Sequence, residues 1–173
     1  MSAVAARSMR DANLLTREEF VALLGGAYEH SPWVAELAWE RRPFASIDAM
    51  AEAMQQAVIA AGAEPQLELI RAHPELLGKL ALAELTAASR AEQASAGLDR
   101  CTAEQRVHMQ ELNEAYRERY GFPFVVAVSG LNWGDVIARI SARLGHRREQ
   151  EVATALEEIG RIARMRLERL LKD

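Results

Sequence analysis

Apolar positions three and four residues apart run through most of this chain, the spacing of helices that bury one face. Thr16 and Glu19 form a capping-box pattern and predict a short helix to about Leu24, interrupted by Gly25-Gly26. Ser31 before Pro32 reads as an N-cap followed by proline at the first helical position, giving a second helix to about Arg42, where Pro43 stops it. Ser46 caps a third helix to about Ala61, with Ile47, Met50, Met54, Ala57 and Val58 on one face. Pro65 opens a fourth, with Leu67, Leu69 and Ile70 apolar, and Pro74 closes it. A short helix over 75–85 is expected next.

In the second half, Ser89 and Glu92 offer another capping box for a helix ending at Gly97. Thr102 and Gln105 open a longer helix to about Arg119, and Asn132 caps one over 133–144. The last helix, about 149–171, carries Val152, Leu156, Ile159, Ile162, Ala163, Leu167 and Leu170 at helical spacing. Only FVVAV at 124–128 reads like a strand, and an isolated strand makes no sheet. The pattern therefore predicts an all-α fold, a single domain of roughly eight helices over 14–173 after a flexible, frayed start at 1–13.

Composition narrows the class. At 173 residues, half of them hydrophobic, the chain can bury a sizeable core. The net charge of −4 gives no sign of a nucleic-acid or membrane-surface partner. Arginines concentrate near the end (139, 143, 147, 148, 161, 164, 166 and 169) but alternate with glutamates, the pattern of a solvated face laced with ion pairs. Arg166 is the one candidate exception. Cys101 is the only cysteine, so no intrachain disulfide forms, and a reducing, cytoplasmic location is expected. No stretch approaches a membrane span, and the first residues lack the apolar run of a signal peptide.

Three short strings carry candidate chemistry: AHPEL at 72–76, SRAEQASAGLD at 89–99 and YGFPFVVAV at 120–128. His73 sits before Pro74 at a predicted helix end. A histidine there can simply complement the helix dipole, or be held by the rigid turn as a general acid/base facing a cleft. Glu92 can be the far half of a capping box or a catalytic carboxylate. Gln93, on what should be a different helix face, argues against a purely structural role. The helix start beside them would offer N–H donors to a ligand. GFPF followed by an apolar run is either a buried connector or extended backbone that hydrogen-bonds a flat, amide-rich ligand. His30, His108 and His146 lack the spacing of a metal site, so no metal is expected.

With those residues in view, the chain resembles the decarboxylases of 2-oxo-4-hydroxy-4-carboxy-5-ureidoimidazoline (OHCU), a compound of urate catabolism. The resemblance runs from about Leu15 to Leu171 through LGGAYEHSPWVAE, LIRAHPELLGK, SRAEQASAGLD, LNEAYRERYGFPFVVAV and EEIGRIARMRLERL, in order. It implies an all-helical, cofactor-free homodimer that converts OHCU to (S)-allantoin and carbon dioxide. It also implies His73 as the essential acid/base and Glu92 as the second catalytic residue. Pro74, Ser89 and Gln93 stand where the family contacts substrate. Phe124, Val125, Val126, Ala127 and Val128 match the segment that supplies backbone hydrogen bonds, and Arg166 matches a substrate-binding arginine. Two rival classes remain: a non-enzymatic helical interaction module, and a sister enzyme acting on another ureido compound.

Overall fold

Side-chain caps start most of the α-helices among the described residues, and helices make up nearly all of the regular structure there. The computed structural model describes residues 6–77 and 86–173. Among the described residues the α-helices are α1 (Met9–Asn13), α2 (Arg17–Leu24), α3 (Trp33–Trp39), α4 (Ile47–Ala60), α5 (Ala63–Arg71), α6 (Ala87–Ser95), α7 (Ala103–Tyr120), α8 (Trp133–Arg143) and α9 (Arg148–Leu170). Two-residue strands β1 (Arg7–Ser8) and β2 (Leu171–Lys172) pair in parallel. The all-α expectation holds. Residues divide into two compact units, one of 1–72 with 159–173 and the other of 73–158, the boundary falling within α9.

In the first unit, Thr16 and Glu19 make both halves of the capping box of α2, and Ser46 Oγ accepts from the Ala49 amide to start α4. The predicted apolar face of α4 is buried in full: Ile47, Met50, Met54, Ala57 and Val58. They join Phe20, Leu24, Val34, Ala38, Ile70 and Leu167 in the core. Helix α3 ends at Trp39, short of the expected Arg42, consistent with the bias of a residue before proline against helical geometry. Ser31 does not cap it by side chain; its hydroxyl donates to the Glu29 carbonyl at 3.1 Å. The start differs too. Ser8 caps α1, and Met9 and Ala12 are buried, so 9–13 are helical where the sequence pattern suggests fraying. Within α9, Gly160 allows a close approach: a Cβ there would lie 2.6 Å from Gln55 Oε1, which accepts the Tyr28 hydroxyl at 2.9 Å.

In the second unit, Thr102 with Gln105 and Asn132 with Asp135 form the capping boxes of α7 and α8. Gly121, at φ 79°, ends α7 in the left-handed conformation that favours glycine. Tyr116, Tyr120, Phe122 and Phe124 pack as one aromatic cluster, with Tyr116 and Tyr120 ring centroids 4.6 Å apart. Residues 123–128 belong to no helix or sheet, so the strand-like reading of FVVAV gives way to a mostly buried irregular segment.

The expected helix over 75–85 does not begin at its first residues: Glu75 has no regular structure, and Leu76 and Leu77 form a turn. The rest of that expectation lies outside the described residues.

Candidate functional site

His73 lies just outside α5. The helix closes with the Ala72 amide donating to the Glu68 carbonyl at 2.9 Å, and Pro74 disfavours any continuation. The imidazole is only 8% exposed. The turn that follows is unusual, because Leu77 adopts φ +54° without being glycine.

Helix α6 starts three residues earlier than the Ser89–Glu92 pattern suggests. Its N-cap is Thr86, whose Oγ1 accepts from the Ser89 amide at 3.2 Å. This corrects the capping-box reading: Thr86 is the cap, Glu92 is in the helix interior, and 89–92 is not a helix start open to a ligand. Ser89, Glu92 and Gln93 instead form a buried i, i+3, i+4 stripe, 4%, 8% and 7% exposed. They therefore share a helix face rather than pointing apart. Three polar side chains thus lie on a stripe that normally packs apolar groups, where buried polar atoms need hydrogen-bond partners.

Phe124, Val125, Val126 and Val128 are buried and Ala127 is half-buried. Two backbone groups of this segment meet the chain's own side chains: the Val125 carbonyl accepts from Arg143 Nη1 at 2.6 Å, and the Ala127 amide donates to Glu158 Oε2 at 2.7 Å. The connector is thus anchored at alternate residues, which accounts for part of its backbone hydrogen bonding without any ligand.

Arg143 departs from the solvated-face expectation. It is 7% exposed, and its Nε donates to the fully buried Glu151 at 2.8 Å. Glu151 also accepts the Tyr116 hydroxyl and lies 2.8 Å from His146 Nδ1. Burial, then that hydrogen bond, pushes the Tyr116 hydroxyl well above the ordinary tyrosine range. The other arginines of the group, apart from Arg166, are exposed as expected; Arg164 reaches Asp48 at 2.7 Å and Glu168 at 3.4 Å.

Arg166 belongs to the first unit and is 4% exposed. Its Nη1 donates to Glu29 Oε2 at 2.5 Å and to the Gly26 carbonyl at 3.2 Å. The sequence reading missed Glu29, Glu151 and Glu158. A signal for the last two was present: on α9 the buried stripe includes Glu151, Ala155, Glu158, Ile162 and Arg166, a run in which charged and apolar members alternate.

His73, Pro74, Ser89, Glu92, Gln93 and Phe124–Val128 all fall within the 73–158 unit, and His73 and Glu92 are both buried. Among the described residues no group of three His, Cys, Asp or Glu is placed to hold a metal ion. A shallow depression on α7, lined by Ala103, Glu104, Val107, His108 and Glu111, includes none of the candidate site residues. No helix among the described residues is long and apolar enough to cross a membrane.

Comparison with known proteins meets this arrangement. A family model for OHCU decarboxylase matches residues 13–168. The 2-oxo-4-hydroxy-4-carboxy-5-ureidoimidazoline decarboxylase of Haloferax volcanii is 47% identical over 160 residues, 92% of this chain and 94% of that protein. The enzyme of that name from Halalkalicoccus jeotgali is 44% identical, over 94% of this chain and 91% of that one. A crystal structure of an (S)-allantoin synthase superposes with a TM-score of 0.78 at 30% identity; the match covers 96% of this chain but only 54% of that longer one. An OHCU decarboxylase structure determined with (S)-allantoin shares the fold at a TM-score of 0.66 and 18% identity. The match over most of its length, at these identities, shows that this chain belongs to the OHCU decarboxylase family.

Proposed function

We infer that this protein is a carboxy-lyase that decarboxylates OHCU to (S)-allantoin and carbon dioxide in urate degradation. The reading is carried by the family match over 13–168 together with the burial of His73 and Glu92 in one unit of the fold. Residues 14–173 are taken as one OHCU decarboxylase-like domain, acting in the cytoplasm as a cofactor-free homodimer.

The substrate's own chemistry explains why its ring can serve as the electron sink. Breaking the bond between C4 and the carboxylate leaves an electron pair at C4. The adjacent C=N bond accepts it as a C4=C5 double bond forms, and the ring nitrogen, now carrying that bond's electron pair, takes up a proton. The C4 hydroxyl then loses its proton to become the ring carbonyl, and C5 gains one; the face of that protonation sets the (S) configuration. The protein must hold the carboxylate out of the ring plane, stabilise the charge that develops, and manage the protons gained by the ring nitrogen and C5 and lost by the C4 hydroxyl.

His73 is assigned the proton transfers, as a buried imidazole on a proline-rigidified turn. Glu92 orients the imidazole or shares the proton traffic. Its place in the interior of α6 supports this role, because capping is performed by Thr86. Ser89, Gln93, Pro74 and the remaining backbone groups of 124–128 are assigned to substrate contact. Arg166 is assigned to the ureido or ring oxygens. Its pairing with Glu29 favours a neutralised hydrogen-bond donor over a clamp on the departing carboxylate, which would stabilise the ground state.

The test generates OHCU in situ from urate with uricase and hydroxyisourate hydrolase, adds the protein and follows circular dichroism. Rapid appearance of optically active (S)-allantoin, abolished in a folded His73→Ala variant, is expected. Racemic allantoin forming at the background rate would reject the reading and return the protein to the sister-enzyme or interaction-module classes.

A further inference from the structure

We propose that Asn113 is a positioning residue that fixes the turn carrying His73 by clamping its backbone from α7. The inference rests on the reading of His73 as the acid/base. Asn113 lies in the middle of α7 and is 2% exposed. Its Nδ2 donates to the Leu76 carbonyl at 2.7 Å, across 37 residues of sequence. One helical turn later on the same face, Arg117 pairs with Glu75. Two side chains of one rigid helix thus hold consecutive residues of the turn that begins at His73.

Two further observations show that the clamp works against local preferences. The peptide it grips leads into Leu77, which has φ +54°, a conformation disfavoured for a leucine and sustained only when the surroundings impose it. The other end of the Asn113 amide, Oδ1, is buried and has no hydrogen-bond partner among the described residues. An unpartnered buried acceptor is destabilising, so the side chain is poorly explained as a stability device. What it does achieve is a fixed backbone three residues from the imidazole. Acid/base geometry is sensitive at this scale: a misplacement of about 1 Å can lower a rate about a hundredfold.

The experiment compares the full-length wild-type protein with Asn113→Ala, Asn113→Asp and Arg117→Ala. It uses steady-state OHCU turnover and NMR of the imidazole nitrogens, His73 being identified by the resonances lost in His73→Ala. Asn113→Ala is expected to fold, to lose kcat by about 10–100-fold with KM within about threefold, and to shift the His73 resonances but not those of the other three histidines. Arg117→Ala, removing the half-exposed second contact, should lose only a few-fold. Asn113→Asp is the near-isosteric control. Its protonated acid can donate to the Leu76 carbonyl and its carboxylate cannot, so its activity should rise at low pH along a profile that Asn113→Ala lacks.

A folded Asn113→Ala variant with wild-type kcat, a loss confined to KM, or an unmoved His73 signal would overturn the proposal. If Asn113→Ala does not fold, the pH profile and His73 signal of Asn113→Asp decide by the same criteria. If the wild-type protein does not consume OHCU, the functional reading fails, and the His73 resonances alone judge the clamp.

Discussion

Arg166 and Glu29 form an ion pair at 2.5 Å with side chains 4% and 1% exposed, joining the last helix to the segment just before Ser31. Removing one partner leaves the other charge buried without its main counter-charge. Glu29→Leu and Arg166→Met are therefore each expected to destabilise the protein by about 3–5 kcal/mol, whereas the double replacement should lie closer to wild type than either single change. Urea unfolding of all four proteins measures this directly. Additive losses in the double variant would show that the pair is not energetically coupled.

Glu92 and Thr86 now separate chemistry from capping. Thr86→Ala removes the α6 cap and should cost about 1 kcal/mol. Glu92→Gln keeps the shape and hydrogen-bonding capacity of a residue in the helix interior. It should unfold close to the wild-type urea midpoint while losing turnover by at least about a hundredfold. A Glu92→Gln enzyme with near wild-type kcat would remove Glu92 from the chemistry.

The contrast between these residues shows what the sequence could and could not disclose. Capping signals beside strong apolar periodicity were legible: Thr16, Ser46, Thr102 and Asn132 all start helices where expected. Capping at Thr86 was not, because Ser89 and Glu92 form an equally good local pattern, and only the folded chain shows that the helix has already begun. Arg143 and Arg166 look like their exposed neighbours in a run of arginines. Their burial depends on Glu151 and Glu29, partners 8 and 137 residues away that no local pattern links to them. The candidate residues themselves were legible through motif resemblance, while the contacts supporting them, Asn113 on Leu76 and Glu158 on Ala127, come from tertiary packing alone.

Arg143 bridges Glu151 of α9 and the carbonyl of Val125, so its loss should be felt in two places. Arg143→Met would leave Glu151 buried without its guanidinium and the Val125 carbonyl without its donor. A loss of about 3–5 kcal/mol is expected. Amide hydrogen exchange should accelerate at 124–128 more than in α4, which is in the other unit. Uniform acceleration in both units would instead indicate global unfolding without a specific role for Arg143 in holding this segment.

Alkaline pH supplies a test of the buried hydroxyls. Tyr28 and Tyr116 both have pKa values raised above the ordinary value of 10.0, chiefly by burial, with Glu52 adding to the first and Glu151 to the second. A hydroxyl whose native pKa exceeds its unfolded pKa holds its proton in the native state after the unfolded chain has released it. Its contribution is intact below pH 10 and is lost as pH rises through the native value, because unfolding then releases protons. Each tyrosine should lower the unfolding free energy by about 1.4 kcal/mol per pH unit in that window. Urea midpoints measured from pH 9 to 11.5 should fall accordingly, and Tyr28→Phe should make the fall less steep. Tyrosinate absorbance near 295 nm should show these two hydroxyls ionising only as the protein unfolds. Ionisation of all three tyrosines near pH 10 with the helical signal intact would show that Tyr28 and Tyr116 are not held protonated by burial.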